Sequence, residues 1–340
     1  MLDPIALARQ LIDIPSTTEN EGAIGDFLDD ELSRLGFTTR TQLVAKGRFN
    51  VFATAGGRPR VLINSHTDTV PPWFASREDD EYVFGRGASD TKGVIAAMIA
   101  AGQRLLNGNV TDFAFLFVVG EETDSIGAKS ANAAFADLGS EFVLVGEPTE
   151  SKFARATKGA FTSLLRFEGV AAHSAYPHLG DSAINKMVAA IAEINAADWG
   201  RDDILGESTV NVGVVRGGEK PNIIPATAEC EMIFRTVKHP DEIREKLAEL
   251  VTRHGGTIVR SHGNPPQQMV VPQGAESVIV SFNTDVPHLR LLGRPLLFGP
   301  GSILDAHGPN ERISKRELIA AVDTYHDTVI ALLEGRISAS

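Results

Sequence analysis

One cysteine, Cys230, in 340 residues leaves no partner for an internal disulfide, which suits a reducing compartment. Positive charge is also short: 32 Lys and Arg stand against 44 Asp and Glu, a formal net charge of -12. With no basic stripe to offset that balance, no nucleic-acid partner and no anionic membrane surface is expected. Long apolar runs are missing, since the longest, Val94–Ala101, is far too short to span a bilayer. The start, Met1-Leu2-Asp3-Pro4, has neither the basic nor the continuous apolar segment of a secretory signal, so a cytoplasmic protein is expected. What remains, 43% hydrophobic and 22% charged, is a soluble globular composition with enough apolar mass for a rigid site.

Four short apolar runs each stop at a carboxylate or a histidine. Val61–Ile63 leads into Asn64-Ser65-His66-Thr67-Asp68, Phe113–Val119 into Gly120-Glu121-Glu122, and Phe142–Val145 into Gly146-Glu147. Leu296–Phe298 is followed by a Gly/Pro loop and Asp305-Ala306-His307. Runs this short and rich in Val, Ile, Leu and Phe read as strands buried on both faces, as in a parallel sheet. Ligands collect at the carboxyl ends of such strands. Asp90, at an expected helix start, completes a set suited to a binuclear metal centre.

The chain alternates helix and strand patterns to about Gly159. Ile5–Ile12 and Glu21–Leu35 are amphipathic, Phe49–Thr54 and Val61–Ile63 are strand-like, and Thr91–Leu106 reads as a helix capped by Ser89 or Asp90. The middle stretch reads strand-helix-strand-strand-helix-strand: Phe161–Glu168, Ser182–Ile194, Thr209–Val215, Ala226–Val237, Asp241–His254 and Thr257–Arg260. Alternation resumes after Pro265-Pro266-Gln267-Gln268, which looks like a return linker. The expected architecture is α/β: a mostly parallel sheet flanked by helices, formed by 1–159 and 266–340, with an α+β domain inserted at 160–265.

Imidazole nitrogens from His66 and His307 with oxygens from Asp90, Glu121, Glu122 and Glu147 suit Zn²⁺ or its first-row neighbours, whereas an all-oxygen set would suit Mg²⁺ or Ca²⁺. Two cations about 3.5–4 Å apart need a bridging ligand, for which an aspartate serves. Hydrolysis also needs a base that is not itself a ligand. Glu121 and Glu122 can divide those roles, and spacing alone leaves open which does which. Asp68, two residues past His66, is placed to accept the second imidazole N–H. His178, His239, His254, His262, His288 and His326 lack such a setting and read as surface or structural residues.

The segments SHTDTVPP, GRGASDTKG, GEETDSIGA, VGEPTE and GPGSILDAHGPNE resemble, in order, the signature of a family of zinc hydrolases. Its members include acetylornithine deacetylases, succinyl-diaminopimelate desuccinylases, aminoacylases and carboxypeptidase G. The resemblance implies a zinc-exopeptidase-like fold. It also implies two Zn²⁺ per chain, replaceable by Co²⁺, with His66, Asp90 and Glu147 on one ion and Asp90, Glu122 and His307 on the other. Glu121 would be the general base, Asp68 the partner of His66, and a cis peptide would follow Asp90. GVAAHSAYP resembles the family's lid loop, whose histidine, here His173, reaches the partner subunit's site, so a homodimer through the inserted domain is implied. KPNIIP resembles the family's Asn-containing lid turn, which would make Asn222 a substrate contact, and Arg235 resembles the family's carboxylate-binding arginine. Gly301 and Ser302 are further candidates in the loop before His307.

For the substrate, NTDVPHL (Asn283–Leu289) resembles the acetylornithine and acetyl-lysine deacetylases, while AYPHLGD resembles the desuccinylases. The expectation is metal-dependent hydrolysis of an amide in an N-acyl amino acid, of the acetylornithine, acetylcitrulline or acetyl-lysine type. Desuccinylation, or a dipeptidase or carboxypeptidase activity, is the alternative. A binding protein on a decayed hydrolase fold would have lost ligands, and all six residues are present.

Overall fold

The computed structural model describes residues 2–336. The chain forms two units, one of Met1–Arg155, Gln268–Val278 and Thr284–Ser340, the other of Ala156–Gln267 and Ile279–Asn283.

In the first unit the apolar runs become a six-stranded sheet, in the spatial order Thr38–Ala45, Arg48–Thr54, Phe113–Val118, Val61–His66, Phe142–Val145, Arg294–Leu297. The first two pairings are antiparallel. The remaining three are parallel. Every residue of Val61–His66, Phe113–Val118 and Phe142–Val145 is buried, as expected of strands covered on both faces. Phe113, Phe115 and Phe117 follow one another along one strand, the first two edge-to-face and the last two stacked, with Phe37 edge-on to Phe113 and Phe115 at 6.0 and 5.3 Å.

Helix Lys92–Asn107 is buried along most of its length. Its small residues allow close approach, and a Cβ on Gly102 would lie 2.2 Å from Phe115 Cζ. The helices Pro4–Ile12 and Lys315–Leu333 pack against it. Neither expected cap holds. Thr91 is the N-cap residue, with no side-chain cap bond, and the Asp90–Thr91 peptide is cis. The Asp90 carboxylate is engaged elsewhere, by His66 and His307.

The second unit is a four-stranded antiparallel sheet, ordered Thr209–Gly217, Thr227–Thr236, Gly159–Glu168, Gly256–Asn264. Strand Thr227–Thr236 alternates strictly between buried and more exposed residues, the signature of a sheet covered on one face. Helices Ala183–Ala196 and Pro240–Arg253 supply that cover, closing a core that includes Phe161, Phe167, Met187, Trp199, Phe234 and Leu247. The expected return linker differs. Gln267–Gln268 is a short strand, and the chain joins this unit again at Ile279–Asn283 before leaving it at Thr284. A main-chain bond from Lys158 N–H to the Val280 carbonyl (3.3 Å) belongs to that second visit. No helix among the described residues is long and apolar enough to cross a membrane.

Candidate active site

The parallel strands end at one edge, where His66 pairs with Val118 and Asn64 with Val145. That register brings the residues following each strand together. His66, buried, meets Asp90 Oδ1 through Nε2 at 2.9 Å. The other Asp90 oxygen, Oδ2, faces His307 Nε2 at 3.3 Å. His307 also meets Glu122 Oε2 at 3.1 Å, and Glu147 Oε1 lies 3.9 Å from His66 Nε2. His307 is half exposed at the rim, while Asp90 and Glu147 are buried.

Asp68 faces both the His66 ring and the turn at Glu121–Glu122. The Nδ1 of His66 meets the Asp68 main-chain carbonyl at 3.0 Å, while the Asp68 carboxylate stands 3.6 Å away, too far for a hydrogen bond. The carboxylate instead accepts the N–H groups of Gly120 (2.9 Å), Glu121 (3.0 Å) and Glu122 (3.2 Å), and the Thr18 hydroxyl (2.8 Å). Consecutive N–H groups at a turn are strong donors to a buried carboxylate, and the His66 ring lies against the same group. Asp68 therefore anchors the Glu121–Glu122 turn, and its backbone sets the His66 tautomer with the proton on Nδ1 and Nε2 free to bind a cation.

Carboxylates crowd this site: Asp90, Glu121, Glu122, Glu147 and Asp285 act on one another. Burial, reinforced by Glu147, pushes the Glu121 carboxyl well above the usual carboxylate range. Burial raises Glu147 and Glu122 too, against the pull of His66 on the former and of a His307 hydrogen bond on the latter. His307 rises to about 10 through its bonds to Asp90 and Glu122. Burial would push Asp90 up, but His307 and His66 outweigh it and hold it below its ordinary value. Donor atoms of His66, Asp90 and Glu122 lie within 4.8 Å of one another. Crowded carboxylates, two imidazoles and an aspartate that presents one oxygen to each imidazole fit a pair of divalent cations.

Asp285 went unread in the sequence, although it lies within the NTDVPHL segment. It is buried, and its Oδ1 has no hydrogen-bond partner among the described residues. Burial raises it to about 6, relieved by a Ser125 hydrogen bond and by the charge of His66. Arg86 and Glu311, a buried ion pair at 2.6 Å, also went unread within GRGASDTKG and GPGSILDAHGPNE. A charge with no apparent partner in a glycine-rich motif was the available signal.

Gly301 and Ser302 sit in the loop before His307. Gly301 N–H donates to Glu317 Oε2 (3.0 Å) and its carbonyl accepts from Glu150 N–H (2.8 Å). The Ser302 hydroxyl meets Glu150 Oε1 at 3.4 Å. The three remaining candidates belong to the second unit. Ala172–His173 pairs with Ile223–Ile224, and Ser174 N–H donates to the Asn222 carbonyl at 3.0 Å, so His173 and Asn222 are neighbours on exposed loops. His173 Nδ1 accepts from Ala175 N–H at 3.1 Å. Arg235 lies on a different strand, Thr227–Thr236, half-buried on the face opposite Met232 and Phe234.

A chain from Schizosaccharomyces pombe named a peptidase M20 domain-containing protein is 36% identical over 338 residues, covering 96% of this chain and 84% of its own. The chain belongs to the M20 peptidase family. A probable carboxypeptidase from Aspergillus flavus is 34% identical over 376 residues, with 97% and 90% covered. The family described as peptidase dimerisation domain matches residues 155–270. Among solved structures, a tripeptidase from Staphylococcus aureus superposes with a TM-score of 0.80 at 22% identity, covering 97% of this chain and 98% of that one. A metallo-carboxypeptidase of the M20 family from Sulfolobus solfataricus gives 0.79 at 17% identity, covering 97% and 99%. At those identities the likeness is one of fold, and that fold is the expected α/β sheet with its inserted unit. The family membership makes this chain a hydrolase of amide bonds, while its subtype within the family is a separate matter.

Proposed function

We propose that this chain hydrolyses the amide bond of a small substrate that keeps a free α-carboxylate, at a centre of two divalent cations. The observation that carries the reading is the division of Asp90, one oxygen on His66 at 2.9 Å and the other facing His307 at 3.3 Å. His66, Asp90 and Glu147 would hold one cation, and Asp90, Glu122 and His307 the other. Mixed imidazole and carboxylate donors favour Zn²⁺, with Co²⁺ as a substitute. When bound, such a pair polarises the scissile carbonyl and makes a water acidic enough to attack near neutral pH.

Glu121 takes the water's proton and hands it to the leaving amine. One feature supports this assignment: Glu122 is the member of the pair that meets His307, which leaves Glu121 off the cation ligands. His173 supplies a hydrogen bond to the carbonyl oxygen as charge builds there. Its Nδ1 accepts from Ala175, so the neutral ring carries its proton on Nε2, where it can donate. We assign that role to the partner subunit's copy, in a homodimer formed through the second unit. Arg235 binds the substrate carboxylate as a guanidinium fork, and Asn222 is a substrate contact beside His173. Gly301 and Ser302, engaged by Glu317, Glu150 and Ser89, shape the loop that carries His307.

Two substrate classes meet these requirements. The names of the Aspergillus relatives, probable carboxypeptidases, favour peptides with a free C-terminus. The NTDVPHL segment favours N-acetyl amino acids of the ornithine, citrulline or lysine type, and AYPHLGD adds N-succinyl-diaminopimelate. Purified protein is screened for amine release from N-blocked dipeptides, free dipeptides and these N-acyl amino acids, before and after exhaustive chelation. Release from at least one class, lost with the metal and restored by Zn²⁺ or Co²⁺, is expected. Activity that survives chelation, or a metal-loaded protein inert to every class, would overturn the reading.

A further inference from the structure

Against the main chain of Asp90 and His307 lies a buried charged pair, Arg86 and Glu311. Arg86 and Glu311 are 2% and 0% exposed, and Arg86 Nη1 donates to Glu311 Oε2 at 2.6 Å. The other carboxylate oxygen, Oε1, accepts two consecutive main-chain N–H groups, Ser89 at 3.2 Å and Asp90 at 3.1 Å. The guanidinium has two further outlets: Nε donates to the Pro72 carbonyl at 3.1 Å, and Nη2 reaches the His307 carbonyl at 3.4 Å. A separate tether runs from the Ser89 hydroxyl to the Ser302 carbonyl at 3.1 Å. That approach is close enough that a Cβ on Gly301 would lie 2.5 Å from Ser89 Oγ. The pair thus reaches the loop after His66, the turn that carries Asp90 and the loop that carries His307.

Burying two charges costs several kcal/mol per ion before their attraction is counted, and such a pair is weak evidence for stability. What this pair has that an apolar plug would lack is a set of directed bonds to the main chain of two cation-binding candidates. We propose that Arg86 and Glu311, with Ser89 beside them, are positioning residues that set the distance between the Asp90 carboxylate and the His307 imidazole, and so the affinity and geometry of the two-cation centre. The inference rests on reading Asp90 and His307 as cation ligands. Glu311 pins the Asp90 backbone so that its two oxygens can divide between the histidines. Arg86 ties the half-exposed His307 loop to the same anchor, so the His307 side should suffer more when the pair is broken.

The test is competitive titration of metal-free full-length protein with Co²⁺, read by absorption in the visible range, alongside thermal unfolding of the metal-free forms. Glu311→Gln keeps the volume but turns an amide N–H towards Arg86, and Arg86→Lys keeps the charge without the fork. Loss of such supporting contacts typically lowers metal affinity roughly 10–100-fold, and that loss is expected in both variants, with shifted Co²⁺ bands. Ser89→Ala, which deletes only the tether to Ser302, should lose about tenfold with metal-free unfolding unchanged. Should Glu311→Gln and Arg86→Lys fail to fold, Ser89→Ala decides alone. Wild-type protein that binds two ions while the folded variants match its affinity and spectrum overturns the positioning role only. Wild-type protein that binds no ion overturns the ligand reading, and this inference with it.

Discussion

Adjacent glutamates with different neighbours should respond differently to the same substitution. Glu122 meets His307 Nε2 at 3.1 Å, so Glu122→Gln should weaken one cation, seen as a drop from two bound ions towards one on titration. Glu121→Gln should keep both ions and lose turnover by roughly 10²–10⁴-fold, the usual worth of a general base. The reverse pattern of metal content would exchange the two assignments. Arg235 admits an equally specific check. Arg235→Ala should slow hydrolysis of substrates with a free α-carboxylate far more than of their methyl esters or amides, because only the free acid uses the bidentate fork. Equal losses on both would make Arg235 a structural residue.

At the scale of elements, helix Lys92–Asn107 sets the floor of the site, because Asp90 lies just before it and the sheet lies against it. Its approach to strand Phe113–Val118 depends on Gly102, where a Cβ would fall 2.2 Å from Phe115 Cζ and 2.8 Å from Cε2. Phe115 is itself fully buried among Phe37, Phe113 and Phe117, so it has nowhere to retreat. Gly102→Ala should therefore destabilise by about 1–3 kcal/mol, the range for overpacking a dense core. A lowered urea midpoint with an unchanged slope would show it. A midpoint equal to wild type would mean that the helix slides freely over the sheet.

On the scale of the whole molecule, the proposed function makes the active site a property of a dimer. His173→Ala and Glu121→Ala should each be nearly inactive, since loss of a single oxyanion donor costs on the order of 10²–10³-fold. Mixed and allowed to exchange subunits, they should recover activity. A heterodimer then has one site with Glu121 from one chain and His173 from the other, and a second site lacking both. A mixture that stays inactive after verified exchange refutes the in-trans role, because a His173 acting within its own chain leaves every site short of one group.

Much of this was legible along the chain because it depends on near neighbours. Buried strands declare themselves by short runs such as Phe113–Val119, and the residue types that end those runs are the ones cation chemistry needs. The order of the motifs then identified the family's fold, and the comparisons agree on the family while leaving the deacetylase subtype open. Other features were settled by contacts that no local pattern encodes. Asp68 stands beside the His66 ring, as two positions along the chain would place it, but its carboxylate also takes N–H groups more than 50 positions distant, which no local pattern announces. The sequence allows Asp90 to be both a bridging ligand and a helix cap; its carboxylate lies between the two histidines, and Thr91 takes the N-cap position. Arg86 and Glu311 stand 225 positions apart, so neither advertised the other. Apolar periodicity and residue chemistry are properties of a segment. Which donor a buried carboxylate takes is a competition among everything folded around it, and only the tertiary structure holds that contest.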